Sequence, residues 1–362
     1  MIYLSCAKAG VQHTRQQLEV QRYLKKLNKP AIKSIKMRPS FQPFDLDDEN
    51  EVALKKKTSS ITQLWHQNGR CPWETIPIRR TKMEDVLRAS SIERFGKKRS
   101  NAIPNSNSIL RDGYIHEHSF ALVNGQKYYG TSVFMDVWNP FVQEPGEFSN
   151  TQFWVVADPF EDQNTIEAGW HVYPNLYGDN RTRLFIYWTT DNYNRTGCHN
   201  LQCSGFIQVN NEIALGSSIY PISSYGGPQY GIDLSLFKEP QTGYWWLQYG
   251  KKTLGYWPST LFSHLSYATS VLWGAEIINF KLNGKHTSTV MGSGHFGKEG
   301  HGKASFCSNI KILDEALTPA DPQGVVAIAE SPNCYDVRNA TNFGDLGTHF
   351  YYGGPGKNPN CP

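Results

Sequence analysis

Two glutamates, Glu167 and Glu276, are the candidate acid–base residues of this sequence. Glu167 lies in the segment 164–173 and has a glycine two positions after it, whereas Glu276 lies in 273–278 and has a glycine two positions before it. Along a strand, alternate side chains share a face, so each glutamate would face the same way as its glycine. Two carboxylates brought together on one sheet can act as a general acid and a general base, and the bare glycine positions leave room for an extended peptide.

Hydrophobic periodicity predicts the strand that positions Glu167. Ile166, Ala168, Trp170 and Val172 alternate with the polar face, which indicates that they form the core side of a sheet. For a single glutamate, exposure on the outer face of an antiparallel strand is the more common situation. The second, mirrored Gly and Glu in 273–278 favour the acid–base interpretation.

Several other chemistries have no motif in this sequence. It contains no Gly-x-Ser-x-Gly, no His-Glu-x-x-His, no Asp-Thr-Gly or Asp-Ser-Gly, and no phosphate-binding glycine loop followed by lysine and a helix. His116 and His118 would share a strand face, but they supply only two imidazoles, fewer than a closed metal site needs. We therefore predict no metal and no cofactor.

Composition favours an all-β fold. The chain of 362 residues has 13% aromatic and 19% charged residues with 31 Gly and 20 Pro, and short Val-, Ile- and aromatic-rich runs alternate with turn residues. Helices are expected only near 11–29, 82–95 and 258–268, and no apolar run approaches the ~20 residues of a membrane span. We expect strands near 117–123, 131–138, 152–158, 165–173, 183–189, 205–209, 212–219, 231–237, 244–250, 253–257, 271–280, 304–313 and 348–352.

Charge is distributed unevenly along the chain. Residues 1–112 hold 22 Lys and Arg against 11 Asp and Glu, while residues 113–362 hold 14 against 21. The basic residues are scattered and are not interleaved with stacking aromatics, so we do not predict a nucleic-acid partner. A basic segment lying on an acidic domain of the same chain is the simpler interpretation. Residues 33–60 are expected to be a linker, and 97–112 either a protease-accessible linker or an ordinary surface loop.

Cysteines and glycosylation sequons favour a secretory route. Cys198 and Cys203 are close enough in sequence to form a small loop, Cys334 and Cys361 bracket a Gly- and Pro-rich tail, and Cys307 is expected to be a buried thiol. Asn180, Asn194 and Asn339 each begin an N-x-Thr sequon. The first residues are too short for a complete signal peptide.

Several long motifs resemble the neprosin family of plant glutamic endopeptidases. They occur in order within residues 113–362: the segment around Thr-Ile-Glu-Ala-Gly-Trp, then 177–185, 197–206, Trp-Gly-Ala-Glu-Ile and 286–296. Residues 15–36 and 71–94 resemble the activation peptide of the same family. The resemblance implies a pro-segment at 1–112 and a catalytic domain at 113–362.

This resemblance implies an antiparallel β-sandwich of two sheets, preceded by a partly helical pro-segment. The protein would be a secreted zymogen that cleaves proline-containing peptides after proline at acid pH, with its own pro-segment as a partner. The family's catalytic pair matches Glu167 and Glu276, and its disulfides match Cys198–Cys203 and Cys334–Cys361. Ala275 replaces a glycine of the family, which is expected to narrow the groove. The pro-segment is shortened after Lys36, which is expected to leave Cys71 without a partner.

Two alternatives remain open from the sequence. A non-catalytic domain that binds carbohydrate or cell wall would stack sugars on the aromatic runs at 244–246 and 256–257. A pseudo-peptidase impaired by its shortened pro-segment is the other. The residues do not indicate which glutamate is the base and which is the acid.

Overall fold

The computed structural model describes residues 2–28, 37–44, 62–72, 74–98, 115–157 and 162–362, with side chains from residue 15 onward except that of Leu282. Three α-helices occur in these ranges: α1 (Ile2–Leu27), α2 (Met83–Arg88) and α3 (Pro174–Tyr177). Short 3₁₀ turns occupy Leu64–Asn68, Ser259–Leu261, Leu282–Gly284, Gly297–Glu299 and Gly344–Leu346. None of the described helices is long and apolar enough to cross a membrane.

Eighteen strands occur in the described residues, and all but the first lie after residue 114. They are β1 (Thr62–Gln63), β2 (Ile115–Tyr128), β3 (Gly130–Asp136), β4 (Ser149–Ala157), β5 (Asn164–Val172), β6 (Arg183–Thr189), β7 (Ile207–Gln208), β8 (Ile219–Tyr220), β9 (Gly231–Lys238), β10 (Trp245–Tyr249), β11 (Lys252–Trp257), β12 (Ala268–Asn279), β13 (Ser305–Leu313), β14 (Pro319–Ala320), β15 (Val326–Ala329), β16 (Asp336–Val337), β17 (Thr341–Asn342) and β18 (Thr348–Gly353).

Two antiparallel sheets form the body of the molecule. One has six strands in the order β15-β2-β12-β4-β5-β6. The other has ten, with the path β16-β18-β13-β3-β9-β10-β11-β7 and with β14 and β17 paired at its side. A small third sheet joins β1 to β8. The predicted antiparallel β-sandwich with a partly helical N-terminal region is confirmed.

The core lies between the two large sheets. Ile166, Ala168, Trp170 and Val172 of β5 are all fully buried, and the first three belong to the main core cluster, which confirms the predicted inner face. A hydrogen bond also crosses between the sheets: the indole of Trp170 on β5 donates to the carbonyl of Asp136 on β3 at 2.7 Å. The two sheets therefore form one packed unit, and the outer face of each is left for other contacts.

The N-terminal region packs on the outside of this sandwich. Val20 of α1 and Val86 of α2 are buried in a small cluster with Leu176 and Tyr177 of α3. Residues 37–44 lie against the outer face of the ten-stranded sheet, where Phe41 and Phe44 pack on it. The prediction that 33–60 is a linker is therefore wrong for 37–44, because apolar side chains anchor this part; the rest of 33–60 lies outside the described residues.

Most predicted strands are present with small shifts of their ends, but 212–219 is not a strand. The Asn210 side-chain oxygen accepts hydrogen bonds from the backbone N–H groups of Glu212 and Ile213, each at 2.8 Å, and this turn replaces strand pairing. The predicted helix at 82–95 is confined to α2, and the one at 258–268 to the 3₁₀ turn Ser259–Leu261. The helix predicted at 11–29 corresponds to α1, which begins earlier.

Two disulfides cross-link the chain. Cys198 bonds to Cys203, and Cys334 bonds to Cys361, as the family resemblance implied. Cys307 is a buried free thiol, as predicted, and Cys71 is a free, half-buried thiol. The aromatic runs at 244–246 and 256–257 do not form an open sugar-stacking surface, since Trp245, Trp246, Trp257 and Tyr256 are all buried.

Candidate active site

Glu167 and Glu276 face the same side of the six-stranded sheet. Glu167 lies on β5 and Glu276 on β12, and β4 separates these two strands. The register pairs Glu167 with Trp154 and Glu276 with Asn150 of β4. Both carboxylates are fully buried. The interpretation of Glu167 as a solvated surface glutamate is therefore excluded, because the N-terminal region covers this face of the sheet.

Lys98 lies between the two carboxylates. Its ammonium nitrogen is 2.5 Å from Oε2 of Glu167 and 3.1 Å from Oε2 of Glu276. The same nitrogen lies between 5.6 and 5.8 Å from the ring centres of Phe148, Phe185 and Tyr187. The aromatic walls exclude water from the pair, and a single cation bridges both acids.

Glu276 is surrounded by hydrogen-bond donors. Nδ1 of His116 lies 2.5 Å from Oε1 of Glu276. The side-chain amides of Asn150 and Gln152 each donate to Oε2 at 3.0 Å. Donors of this kind favour the ionised form of a carboxylate.

Glu167 has fewer donors. Besides Lys98, the hydroxyl of Tyr193 donates to Oε1 of Glu167 at 2.6 Å. Tyr193 itself is buried beside Phe185 and Tyr187, which places an apolar wall behind this carboxylate. The two glutamates therefore have different surroundings despite their similar sequence contexts.

These surroundings move the pKa values of the two glutamates apart. Burial alone would raise the pKa of Glu276, but the charge of Lys98 and the hydrogen bond from His116 hold that pKa well below its ordinary value. Burial raises the pKa of Glu167 above its ordinary value, and Lys98 offsets this only in part. A pair of carboxylates with separated pKa values is the arrangement that assigns an acid and a base.

His118 supplies a second positive group near Glu276. Its Nε2 lies 3.8 Å from Oε1 of Glu276, and its Nδ1 lies 2.8 Å from Oε2 of Glu330, the residue that follows β15. The backbone N–H of Glu330 donates to the carbonyl of His118 at 3.0 Å. Burial alone would lower the pKa of His118, but the Glu330 carboxylate raises it above its ordinary value.

The segment that carries Lys98 is fixed by backbone contacts. The N–H of His199 donates to the carbonyl of Gly96 at 2.7 Å, and the N–H of Lys98 donates to the hydroxyl of Tyr187 at 3.0 Å. Gly96 has a φ of 75°, and a Cβ there would lie 1.8 Å from the side chain of Gln202. The prediction of an exposed linker is therefore wrong for Lys98, whose side chain is 1% exposed. Residues 99–112 of that predicted linker lie outside the described residues.

A cleft of about 410 Å³ adjoins Lys98. The sandwich contributes Phe148, Tyr173 and Phe280 to its walls, and the N-terminal region contributes Arg94 and Lys97. The cleft therefore runs from Lys98, which covers the carboxylate pair, along a surface shared by the sandwich and the N-terminal region.

The glycines beside the two glutamates serve the sheet itself. A Cβ at Gly169 would lie 2.0 Å from the carbonyl oxygen of Thr151, and one at Gly274 would lie 2.3 Å from that of Ser119. The backbone that approaches these glycines thus belongs to neighbouring strands. Ala275 lies in the inter-sheet core, on the opposite face from Glu276, so the expectation that it narrows the groove is wrong.

His116, His118 and Glu276 offer three donor atoms within 4.8 Å of one another, a spacing that a metal ion could bridge. The Nδ1 atoms of the two histidines already have hydrogen-bond partners, Glu276 for His116 and Glu330 for His118, while Nε2 of His118 lies 3.8 Å from Glu276. We therefore assign the three groups to the acid–base network.

Sequence reasoning identified the two glutamates but missed the groups that hold them. Asn150 and Gln152 alternate along β4, a polar face that the period of two could have revealed. Lys98 and Tyr193 had no such signal, since Lys98 stands in a basic run and Tyr193 in a turn.

Comparison with known proteins agrees with this architecture. Over residues 145–355 the sequence matches the Neprosin family, and over residues 25–124 it matches the Neprosin activation peptide. Among solved structures, the chain is similar to scytalido-glutamic peptidase with a peptide-based transition-state analog, at 12% identity and a TM-score of 0.34, covering 66% of this chain and 98% of that one. It is also similar to SCP-B, a member of the Eqolisin family of peptidases in a complex with the tripeptide Ala-Ile-His, at 11% identity and a TM-score of 0.32, covering 65% and 96%. The Neprosin match spans more than half of the sequence, and the chain therefore belongs to the neprosin family, as a glutamic-type peptidase with an activation peptide.

Proposed function

We propose that this protein is a secreted endopeptidase that cleaves after proline at acid pH, with Glu167 and Glu276 as its catalytic pair. The observation that carries the proposal is the position of Lys98, whose single ammonium contacts both carboxylates. Carboxylates that share one cation are close enough to act on the same substrate atoms. Once the lysine leaves, they would share one proton and titrate as a unit.

Glu276 is the general base in this proposal. The amides of Asn150 and Gln152 and the charge of His118 remain on the sandwich after Lys98 is withdrawn, so Glu276 stays ionised in acid. An ionised carboxylate can take a proton from the water that attacks the scissile carbonyl.

Glu167 is the general acid. Its raised pKa keeps a proton on it at mildly acid pH, and Tyr193 holds its other oxygen in place. The protonated carboxyl can donate a hydrogen bond to the carbonyl oxygen and then give its proton to the leaving amine as the C–N bond breaks. The proton that Glu276 took from water then passes to Glu167, which restores the starting state of the pair. Activity is then expected between the pKa values of the two glutamates, and it falls toward neutral pH as Glu167 ionises.

Latency follows from the same geometry. Lys98 occupies the position that water and the scissile bond need, and the pro-segment covers the cleft. Acidification would protonate Glu167 and so weaken the attraction of the pair for Lys98. The remainder of the basic segment would lose attraction for the acidic domain for the same reason.

The cleft walls support proline specificity, and surface features support secretion. The cleft walls include the rings of Phe148, Tyr173 and Phe280, and flat aromatic surfaces suit the rigid ring of proline. Asn180, Asn194 and Asn339 are all exposed, as N-glycosylation requires, and the two disulfides suit an oxidising compartment.

Cleavage of quenched fluorescent peptides after acid treatment of the full chain tests the proposal. The set would contain one peptide with a single proline and a matched peptide with alanine in its place, assayed between pH 2 and pH 7. We expect cleavage of the proline peptide in acid, no cleavage at pH 7, and its loss in both Glu167→Gln and Glu276→Gln.

Glu117→Gln is the matched control. Glu117 is a buried glutamate on β2 that binds His286 and contacts neither catalytic candidate, so its replacement should retain the acid activity. Activity that survives in either dyad variant would contradict the proposed pair. Equal cleavage of the alanine peptide would contradict the proline preference alone. An inactive wild type would support the impaired pseudo-peptidase.

A further inference from the structure

The outer face of the ten-stranded sheet carries a row of aromatic side chains, on the other sheet from the catalytic pair. We call Phe237, Tyr244, Trp246 and Tyr256 the aromatic ladder. The rings of Tyr244 and Tyr256 stack at 4.8 Å, and those of Trp246 and Tyr256 lie 4.6 Å apart. These residues point away from the inter-sheet core, which contains their sequence neighbours Trp245 and Trp257 instead.

Residues 37–44 of the pro-segment cover this ladder with irregular backbone that bends at Ser40 and turns at Pro43 and Phe44. Their sequence is Met-Arg-Pro-Ser-Phe-Gln-Pro-Phe. Pro39 and Pro43 are buried and Phe41 is half-buried, whereas Arg38, Ser40 and Gln42 are exposed. The rings of Phe41 and Phe44 lie edge-on to Phe237, at 6.0 and 6.5 Å. The side chains that face the sheet are thus prolines and apolar residues.

A buried carboxylate fixes the register of the covering segment. Oε1 of Glu239 accepts the backbone N–H of Ser40 at 2.6 Å and its hydroxyl at 2.7 Å. The other oxygen, Oε2, accepts hydrogen bonds from Thr242 and from the indole of Trp246. Thr242 and Trp246 belong to the sandwich, so they hold Glu239 in position whether or not the segment is present.

We propose that the aromatic ladder and Glu239 form a second peptide-binding site, which takes peptides whose prolines and aromatic residues are interspersed with polar ones. Residues 37–44 are its resident ligand, and loss of the pro-segment would vacate the site for substrates of the same chemistry. Availability in the mature enzyme thus rests on the proposed function, whereas binding itself does not.

The contacts favour a peptide over a sugar as the occupant. Glu239 receives a backbone N–H, a group that every non-proline peptide residue supplies and that a glycan lacks. Ile207 and Val209 also pack on the ladder cluster and make its border apolar. Aromatic surfaces that bind proline-rich segments work in this way, because an extended proline-containing chain loses little entropy on binding.

Binding can be measured in the full chain, independently of activity. Phe41→Ala with Phe44→Ala would loosen the resident segment, and the probe would be a fluorescein-labelled peptide of residues 37–44 at pH 7. We expect saturable binding to the double variant and at least about tenfold weaker binding to the wild type, in which the site is filled. Adding Glu239→Gln or Tyr256→Ala to the double variant should weaken binding at least about tenfold. The single variant Phe41→Ala serves the same purpose if the double variant fails to fold.

Two controls distinguish binding at this site from nonspecific binding of the peptide. Phe343→Ala removes an aromatic side chain that is 69% exposed elsewhere on the surface, and it should leave binding unchanged. A peptide with both prolines and both phenylalanines replaced by serine should not bind. Equal binding to wild type and double variant, indifference to Glu239→Gln and Tyr256→Ala, displacement by cellohexaose, or dimerisation of the double variant in light scattering would each overturn the proposal. Absence of peptidase activity would leave these binding results standing.

Discussion

Replacing Lys98 by methionine tests the electrostatic core of the site. Methionine keeps much of the length and volume of lysine but removes the charge, so both buried carboxylates lose their shared cation. At the observed distances of 2.5 and 3.1 Å, each attraction is worth roughly 5–7 kcal/mol at an effective dielectric constant of about 20. The desolvation of the three buried charged groups, Lys98 and the two glutamates, offsets most of this attraction. Removal of one partner from such a group typically costs about 3–5 kcal/mol.

The cost should depend on pH with a definite sign. In the wild type, Lys98 depresses the pKa of Glu276, so this group contributes stability that is present above the ordinary glutamate pKa and is lost as pH falls through the depressed value. In Lys98→Met the pair would take up a proton near neutral pH instead. The variant should therefore regain up to about 1.4 kcal/mol of its deficit for each pH unit of acidification.

The assay is urea unfolding of the full chain at pH 7 and pH 5, followed by tryptophan fluorescence. Lys97→Met is the matched control, because Lys97 is adjacent and, among the described residues, its ammonium donates to the carbonyl of Arg195, at 2.7 Å, and not to either glutamate. We expect a deficit of about 3–5 kcal/mol for Lys98→Met at pH 7, a smaller deficit at pH 5, and less than about 1 kcal/mol for Lys97→Met at both. A Lys98→Met deficit that is independent of pH, or is matched by Lys97→Met, would refute the reasoning.

Three further predictions concern the groups around the pair and the disulfides. Glu330→Gln should let burial lower the pKa of His118, as burial and the nearby Lys98 lower that of His199 to about 3. The pKa of Glu276 would then rise, and the acid limb of the rate–pH profile would move to higher pH by about one pH unit. Glu330→Asp should restore the wild-type profile, and Glu117→Gln should leave the profile unchanged. Tyr193→Phe removes a hydrogen bond that lowers the pKa of Glu167, so the neutral limb of the rate–pH profile should move to higher pH. The free energy of unfolding in urea should fall by about 1–3 kcal/mol. An unchanged neutral limb would argue against Glu167 as the acid. Replacing both Cys334 and Cys361 by serine should cost about 3.5 kcal/mol and replacing Cys198 and Cys203 about 2 kcal/mol, because the first pair closes a separation of 27 residues and the second only 5; equal thermal unfolding midpoints for the two double variants would contradict this order.

Much of the fold could be predicted because strand periodicity is local. The inner face of β5 was readable from alternation, and the bounds of β6 from a short apolar run. The aromatic run at 244–246 was harder, because consecutive residues on a strand face opposite ways. Trp245 lies in the inter-sheet core, while Trp246 lies under the pro-segment. The sequence shows that large aromatic side chains occur there. Which ring lies in the core and which on the outer face depends on what packs against each face of the strand.

Only part of the site could be predicted, because the sheet brings together residues that are remote in sequence. Glu167 and Glu276 could be paired by their glycines, and the family resemblance agreed with the pairing. Their separation by one strand, β4, depends on sheet order, which links residues more than 100 positions apart. His118 and Glu330 come from strands β2 and the end of β15, whose pairing is equally remote in sequence. Local patterns therefore identify candidate acids without showing which group sets the pKa of each.

The outer face of β5 shows most clearly what alternation cannot predict. A polar face on an antiparallel strand normally implies solvent, yet all nine residues of β5 are buried. The cover includes the segment that carries Lys98, whose ammonium contacts both glutamates, while the carbonyl of Gly96 and the N–H of Lys98 bond to His199 and Tyr187. Backbone groups leave no signature in a sequence, and a lysine in a basic run resembles any exposed lysine. Two acids on a covered face must nevertheless be neutralised. Charge balance therefore requires a cation in the cover, but it does not distinguish Lys98 from the other basic residues of the N-terminal region.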